Sequence, residues 1–349
     1  MRHPLILHSW WIAPLALLFG LALTMPFAPG PPPDDSPYLR IDPEKIVLNP
    51  RNDRQPCGEC HLLEYEVWQG TPHATTFDEL HRTEQARAIL DRMGLRLAKR
   101  ESLCLRCHYT TKIVDEQPRA IAGVSCESCH GAARDWLDIH NNFGGATRQT
   151  ETAEHRAVRV AQSREAGMLR PSDDLYAVAA NCFECHTVPN EQLVNVGGHL
   201  PGSAFELLDW SAEIRHNFVD SQGSTDQTNR APTPERRRMM YVLGRALDYE
   251  YSLRALAKAT TEGLFAQAMA QRVQRAGREI DRILDVADVP ALQEARALGE
   301  AVALGPGNGE ALGGAAGQIG EVMRAFARAH DGSTLEAIDP LLASSGDDG

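Results

Sequence analysis

Four times along this chain two cysteines separated by two residues are followed at once by histidine. The copies read CGECH at 57–61, CLRCH at 104–108, CESCH at 126–130 and CFECH at 182–186. Together they use all eight cysteines of the sequence. C-x-x-C-H is the attachment signature of c-type haem. Two thiols add across the two vinyl groups of one porphyrin, and the spacing lets both edges be reached. The adjoining histidine then meets the iron as its proximal ligand. Structural zinc held by paired cysteines, or a redox-active disulfide, would account for one C-x-x-C. Neither requires histidine directly after the second cysteine every time, in a chain with only 13 histidines. The sequence therefore predicts four covalently attached haem c groups on Cys57, Cys60, Cys104, Cys107, Cys126, Cys129, Cys182 and Cys185. His61, His108, His130 and His186 are the proximal ligands.

Each iron has a sixth position, and what fills it decides between a saturated electron carrier and an open, ligand-binding site. Outside the motifs and the N-terminal segment stand His73, His81, His140, His155, His199, His216 and His330. His81 and His155 lie in charged helical runs, and His330 lies in the C-terminal part; all three read as surface residues. His73 follows the Gly70-Thr71-Pro72 break, His140 closes GAARDWLDIH, and His199 and His216 flank a stretch downstream of the last motif. These four are the candidate distal ligands. Met93 and Met168 are the only methionines near the motifs, so mostly bis-histidine irons are expected.

Around the motifs the chain falls into segments. Arg2 precedes an apolar run from about Trp10 to Ala28, near the ~20 residues of a membrane-spanning helix. Residues 1–29 read as a signal-anchor, with a cleaved signal peptide as the other reading. Either way the remainder lies outside the cytoplasm, on the periplasmic side of a bacterial inner membrane or free in the periplasm. Residues 30–56 are a proline-rich spacer, 57–220 the tetrahaem region, and 221–234 a polar linker. Residues 235–335 turn rich in alanine, leucine, arginine and glutamate. There Met240, Leu243, Leu247, Tyr251 and Ala255, then Ala276, Ile280, Ile283 and Leu284, then Ile319, Val322, Met323 and Phe326 recur at helical steps. A helical bundle that packs on itself or on a second subunit is expected, followed by a flexible tail at 336–349. No strand-rich segment stands out. The fold class is mainly α: a multihaem cytochrome c domain of short helices and loops around stacked haems, plus a C-terminal helical bundle. A formal net charge of −12 argues against nucleic-acid binding, which needs a basic face.

The four motifs, CGECHLLEYEVWQGTPHA with its Trp68 and His73, and GVSCESCHGAARDWLDIH together resemble the tetrahaem cytochrome c-554 family, over roughly residues 55–220. The resemblance implies close stacked haem pairs, as in hydroxylamine oxidoreductase and pentahaem nitrite reductase. It implies that His73 reaches the haem of Cys126 and Cys129, and that His140 ligates the haem of Cys57 and Cys60. It also implies a five-coordinate second haem on Cys104 and Cys107, with a late histidine, His199 or His216, on the fourth. The expected function is a membrane-anchored periplasmic carrier passing electrons between redox partners, another cytochrome, an oxidoreductase or a quinone pool, in nitrogen-oxide metabolism. The alternatives are an enzyme acting on a small nitrogen compound at an open haem, and a quinol dehydrogenase.

Overall fold

The computed structural model describes residues 41–48, 56–170, 172, 174–211 and 232–344. The N-terminal apolar run, His216 and the linker at 221–231 lie outside them. Helices dominate, as expected. Each cysteine pair sits on a helix, Pro56–Cys60, Ser102–His108, Cys126–His130 and Leu175–His186, and the motif histidine lies on the same helix except for His61, which directly follows the first. Helical spacing is what the motif needs, since side chains three and four positions apart share one face.

The helices of the second and third motifs are joined by the only strands among the described residues. Thr110–Val114 and Gln117–Ala122 form an antiparallel hairpin, with Lys112 opposite Arg119 and Val114 opposite Gln117. Its turn residues Asp115 and Glu116 take φ of 50° and 59°, the backbone sense that suits a tight hairpin. Buried Thr110 ties the hairpin to the third motif. Its hydroxyl donates to the Gly123 carbonyl at 2.7 Å and lies 2.8 and 2.9 Å from the Ser125 and Ser128 hydroxyls.

The C-terminal helices are Pro234–Leu256, Leu264–Leu284, Pro290–Glu300 and Gly309–Ala329. The first is capped by the Thr233 hydroxyl, which accepts from Arg236 N, and starts with proline at its first turn. It was expected to be amphipathic, and instead it is buried almost all round. Met240, Leu243 and Leu247 are buried, and so are Tyr241, Val242, Ala246 and Tyr249 on other faces. The extra burial comes from the fourth-motif helix. Tyr176, Val178, Ala179 and Phe183 of that helix belong to the same hydrophobic core as the tail, together with Val194, Leu207 and Leu208. The tail packs on the haem-bearing part as well as on itself.

Two further segments differ from expectation. Part of the spacer is built into the fold: Ile46 and Leu48 are buried against Ile121 in a small second cluster. Residues 336–344 are ordered helix rather than flexible tail. Ile338 is fully buried, and Asp339 pairs with buried Arg238 through two contacts of 2.7 Å. Among the described residues no helix is long and apolar enough to cross a membrane.

Candidate haem-binding site

The eight cysteines form no disulfide. Among the described residues no group of three or more His, Cys, Asp or Glu side chains converges on a metal position, so the paired cysteines do not assemble a zinc cage. What the fold assembles is pairs of imidazoles. His61 faces His140 with ring centres 6.4 Å apart, inclined by 25°. His108 faces His199 at 6.3 Å and 46°. His73 faces His186 at 6.2 Å and 73°. Two metal–imidazole bonds of about 2 Å place the nitrogens ~4 Å apart, and two half-rings bring the centres to ~6 Å. Each pair therefore spans the gap that one axially ligated iron fills, with a C-x-x-C-H cysteine pair beside it. The residues fit haem.

Hydrogen bonds at the other ring nitrogen support this. His130 Nδ1 lies 2.9 Å from the Leu169 carbonyl, His140 Nδ1 2.6 Å from that of Leu137, and His199 Nδ1 2.8 Å from that of Leu200. His186 Nδ1 lies 2.9 Å from the Ser203 hydroxyl. An acceptor at Nδ1 fixes the tautomer that leaves Nε2 with its lone pair for a metal. Burial also favours the neutral form, the one that ligates, at His108, His130, His140 and His186. It holds His108 and His186 down to about 4, with His199 and His73 adding to it at His108, and His73 and Arg272 at His186. His130 and His140 are lowered too, mainly by burial.

Local structure explains the placement. Trp68 donates to the Val124 carbonyl at 2.8 Å, and Val124 N donates to the His73 carbonyl at 2.9 Å. The first-motif segment is thereby pinned to the turn before the third motif. Gly123 sits so close that a Cβ there would lie 2.4 Å from the His73 carbonyl oxygen. The Thr76 hydroxyl reaches the His108 carbonyl at 2.8 Å, linking the His73 helix to the second motif. Asn181 Nδ2 donates to the Ser128 carbonyl at 2.8 Å, joining the third and fourth motifs. His140 is held by Arg159, which donates to its carbonyl and makes a two-pronged pair with Glu151 at 2.6 and 2.7 Å.

The geometry corrects one implied assignment: His73 faces His186 of the fourth motif, where the resemblance implied the third. His140 lies against His61, and His199 against His108. His81 is half-buried. His155 pairs with Glu151 at 2.7 Å, and His330 is exposed against Phe326. One structural residue went unread in the sequence. Glu127, inside the third motif, is buried and accepts from Val47 N, Leu48 N and Ala133 N at 3.0, 2.9 and 2.8 Å. It is the anchor of the 41–48 strap.

Residues 56–131 match the family described as cytochrome c554 and c-prime. Over this segment the chain is similar to the cytochrome c554 family. The match and the four C-x-x-C-H motifs together support a c-type cytochrome with covalently bound haem c. A curated relative, cytochrome c-554 of Nitrosomonas europaea, is 28% identical over 109 residues, covering 28% of this chain and 45% of the relative. The chain thus spans about half the length of that relative. No solved structure matches.

Proposed function

We propose that this cytochrome is a four-haem electron conductor working outside the cytoplasm, with one haem c on each motif. The observation that carries the reading is the three imidazole pairs at one common spacing. In this reading Cys57 and Cys60 hold the first haem between His61 and His140. Cys104 and Cys107 hold the second between His108 and His199. Cys182 and Cys185 hold the fourth between His186 and His73. The third, on Cys126 and Cys129 with proximal His130, takes His216, the one candidate that the other three irons do not use; His216 lies outside the described residues. Bound haem supplies a one-electron couple at each position, of low potential when two histidines ligate it.

The chain's own residues supply ligation, burial and orientation. The motifs adjoin one another in an order suited to conduction. The Cys57 and Cys126 thiols lie within hydrogen-bonding reach, which sets the first and third sites side by side. Asn181 ties the third to the fourth, and Thr76 ties the His73 helix to the second. His199 opposite His108 counts against the open second haem that the resemblance implied, and with it against catalysis on a small nitrogen compound. The partners in this reading are redox proteins or a quinone pool, in nitrogen-oxide metabolism, with the N-terminal apolar segment as the membrane anchor.

Mass spectrometry of the denatured chain is expected to show four haem additions. EPR of the oxidised protein is expected to show low-spin iron throughout, and the reduced protein is expected to ignore nitric oxide. In His199→Ala one iron turns high-spin and binds nitric oxide, with all four haems still attached. A high-spin iron in the unmodified protein, or a site there that takes nitric oxide at once, overturns the reading.

A further inference from the structure

The segment between the fourth motif and Leu207 carries Ser203, the hydrogen-bond partner of His186, and also His199. The C-terminal helices grip this segment at three points. The Glu191 carboxylate accepts from both the backbone N and the hydroxyl of Thr260, at 2.9 and 2.7 Å, and likewise of Thr261, at 3.1 and 2.7 Å. Asn195 Oδ1 accepts from Phe265 N at 2.9 Å. Between these and the haem side lies Arg272, only 3% exposed. Its Nε donates to Asp248 Oδ1 at 2.6 Å, and one terminal nitrogen donates to the Ser203 carbonyl at 2.8 Å. Ser203 in turn donates its backbone N to the His186 carbonyl at 3.0 Å and places its hydroxyl 2.9 Å from His186 Nδ1. Gly202, at φ +87°, makes room: a Cβ there would lie 2.6 Å from the Arg272 guanidinium. After burial and His73, this positive charge adds to what holds the His186 imidazole neutral.

A buried guanidinium thus stands one residue behind the proximal imidazole of the fourth motif, with its carboxylate partner on the far side. Charges in such surroundings are weakly screened and act over several ångströms. We propose that Arg272 and Asp248 are positioning residues that set the reduction potential of the fourth haem, and that this is what the C-terminal helices contribute to the cytochrome. The inference rests on the four-haem reading. Arg272 fixes the Ser203 loop and so the His186 ring, and its positive charge favours the added electron. Asp248 holds the guanidinium and opposes it in sign.

The two charges must therefore pull the potential in opposite directions. The experiment is an EPR-monitored redox titration of the full chain and three variants. The fourth haem is identified as the low-spin signal that His73→Ala converts to high spin. Arg272→Gln is expected to lower its midpoint and Asp248→Asn to raise it. Each shift is on the order of tenfold in the equilibrium constant for reduction, or about 59 mV for a one-electron couple. The double variant, which leaves no lone buried charge, returns close to the starting midpoint, and the other three haems stay where they were. Removing one partner of a buried pair can cost the fold itself. If Arg272→Gln fails to accumulate, Asp248→Asn decides: an unchanged or lowered midpoint overturns the proposal. It is overturned equally by singles that shift in the same direction, or by all haems moving together, which is what a purely structural role produces. Haem count and spin state of the unmodified protein test the four-haem reading separately.

Discussion

Glu151 sits two contacts away from His140, the distal ligand proposed for the first haem, and pH reaches that residue through it. Its carboxylate holds Arg159, and Arg159 holds the carbonyl of His140. The hydrogen bonds from Arg159, then from His155, keep the carboxyl down to about 2, against an ordinary value of 4.5. The folded state therefore binds this proton more weakly than the unfolded one. The stabilisation is complete above pH 4.5 and is lost as pH falls toward about 2. An acid titration followed by EPR is expected to release the His140 ligand within that window. Glu151→Gln should weaken this low-spin signal already at neutral pH and flatten its response to acid; an identical titration in the variant would contradict the linkage. At this scale the sequence was informative about which histidines matter, because His73, His140 and His199 stand out from charged surroundings. It was silent on pairing. His73 lies twelve residues after His61 and still faces His186, because Val124 holds its backbone while its ring points across the fold. Glu127 carried no signal at all, since a lone polar residue inside C-x-x-C-H looks like a spacer.

Among the elements, the fourth-motif helix is the one shared part. One end carries Cys182, Cys185 and His186; its body supplies Tyr176, Val178 and Phe183 to the core built by the C-terminal helices. Tyr176 also donates to the buried Glu250 carboxylate at 2.6 Å, and Gly320 leaves the space for both groups. Uncovering each large apolar side chain of this kind costs roughly 1.5–3 kcal/mol. A chain shortened to end at Asp220 is therefore expected to aggregate, or to lose the fourth haem first, as haem content and light scattering would register. A soluble shortened protein with all four haems would mean that the shared core is dispensable. Helical periodicity marked three of the four long C-terminal helices, leaving out Pro290–Glu300, and it found only one apolar face of Pro234–Leu256. The other face packs on residues distant in the chain, which no local pattern reports. The hairpin was missed for a different reason. Thr110, Thr111, Ile113 and Val114 are a β-branched run, yet Asp115-Glu116 lacks the asparagine or glycine that usually announces a tight turn.

Taken as a whole, the molecule stores its apolar burial unevenly. The large core runs from Leu175 through the C-terminal helices, whereas the earlier part has a small cluster of Ile46, Leu48 and Ile121 and buried side chains outside it such as Leu90, Leu105 and Trp136. Bound haem is therefore expected to supply the stretch 56–170 with much of its apolar contact. This makes maturation a sequence of events. The half from 175 onward can collapse before any thioether is formed, and it presents the fourth motif on a finished surface. The earlier motifs stay open to the attachment machinery until each bound haem closes the chain around itself. Limited proteolysis of haem-free protein should accordingly cut within 56–170 and spare 175–211 and 232–344, while the haem-loaded protein resists in all of these stretches. Equal cleavage of the two halves without haem would remove this order of assembly.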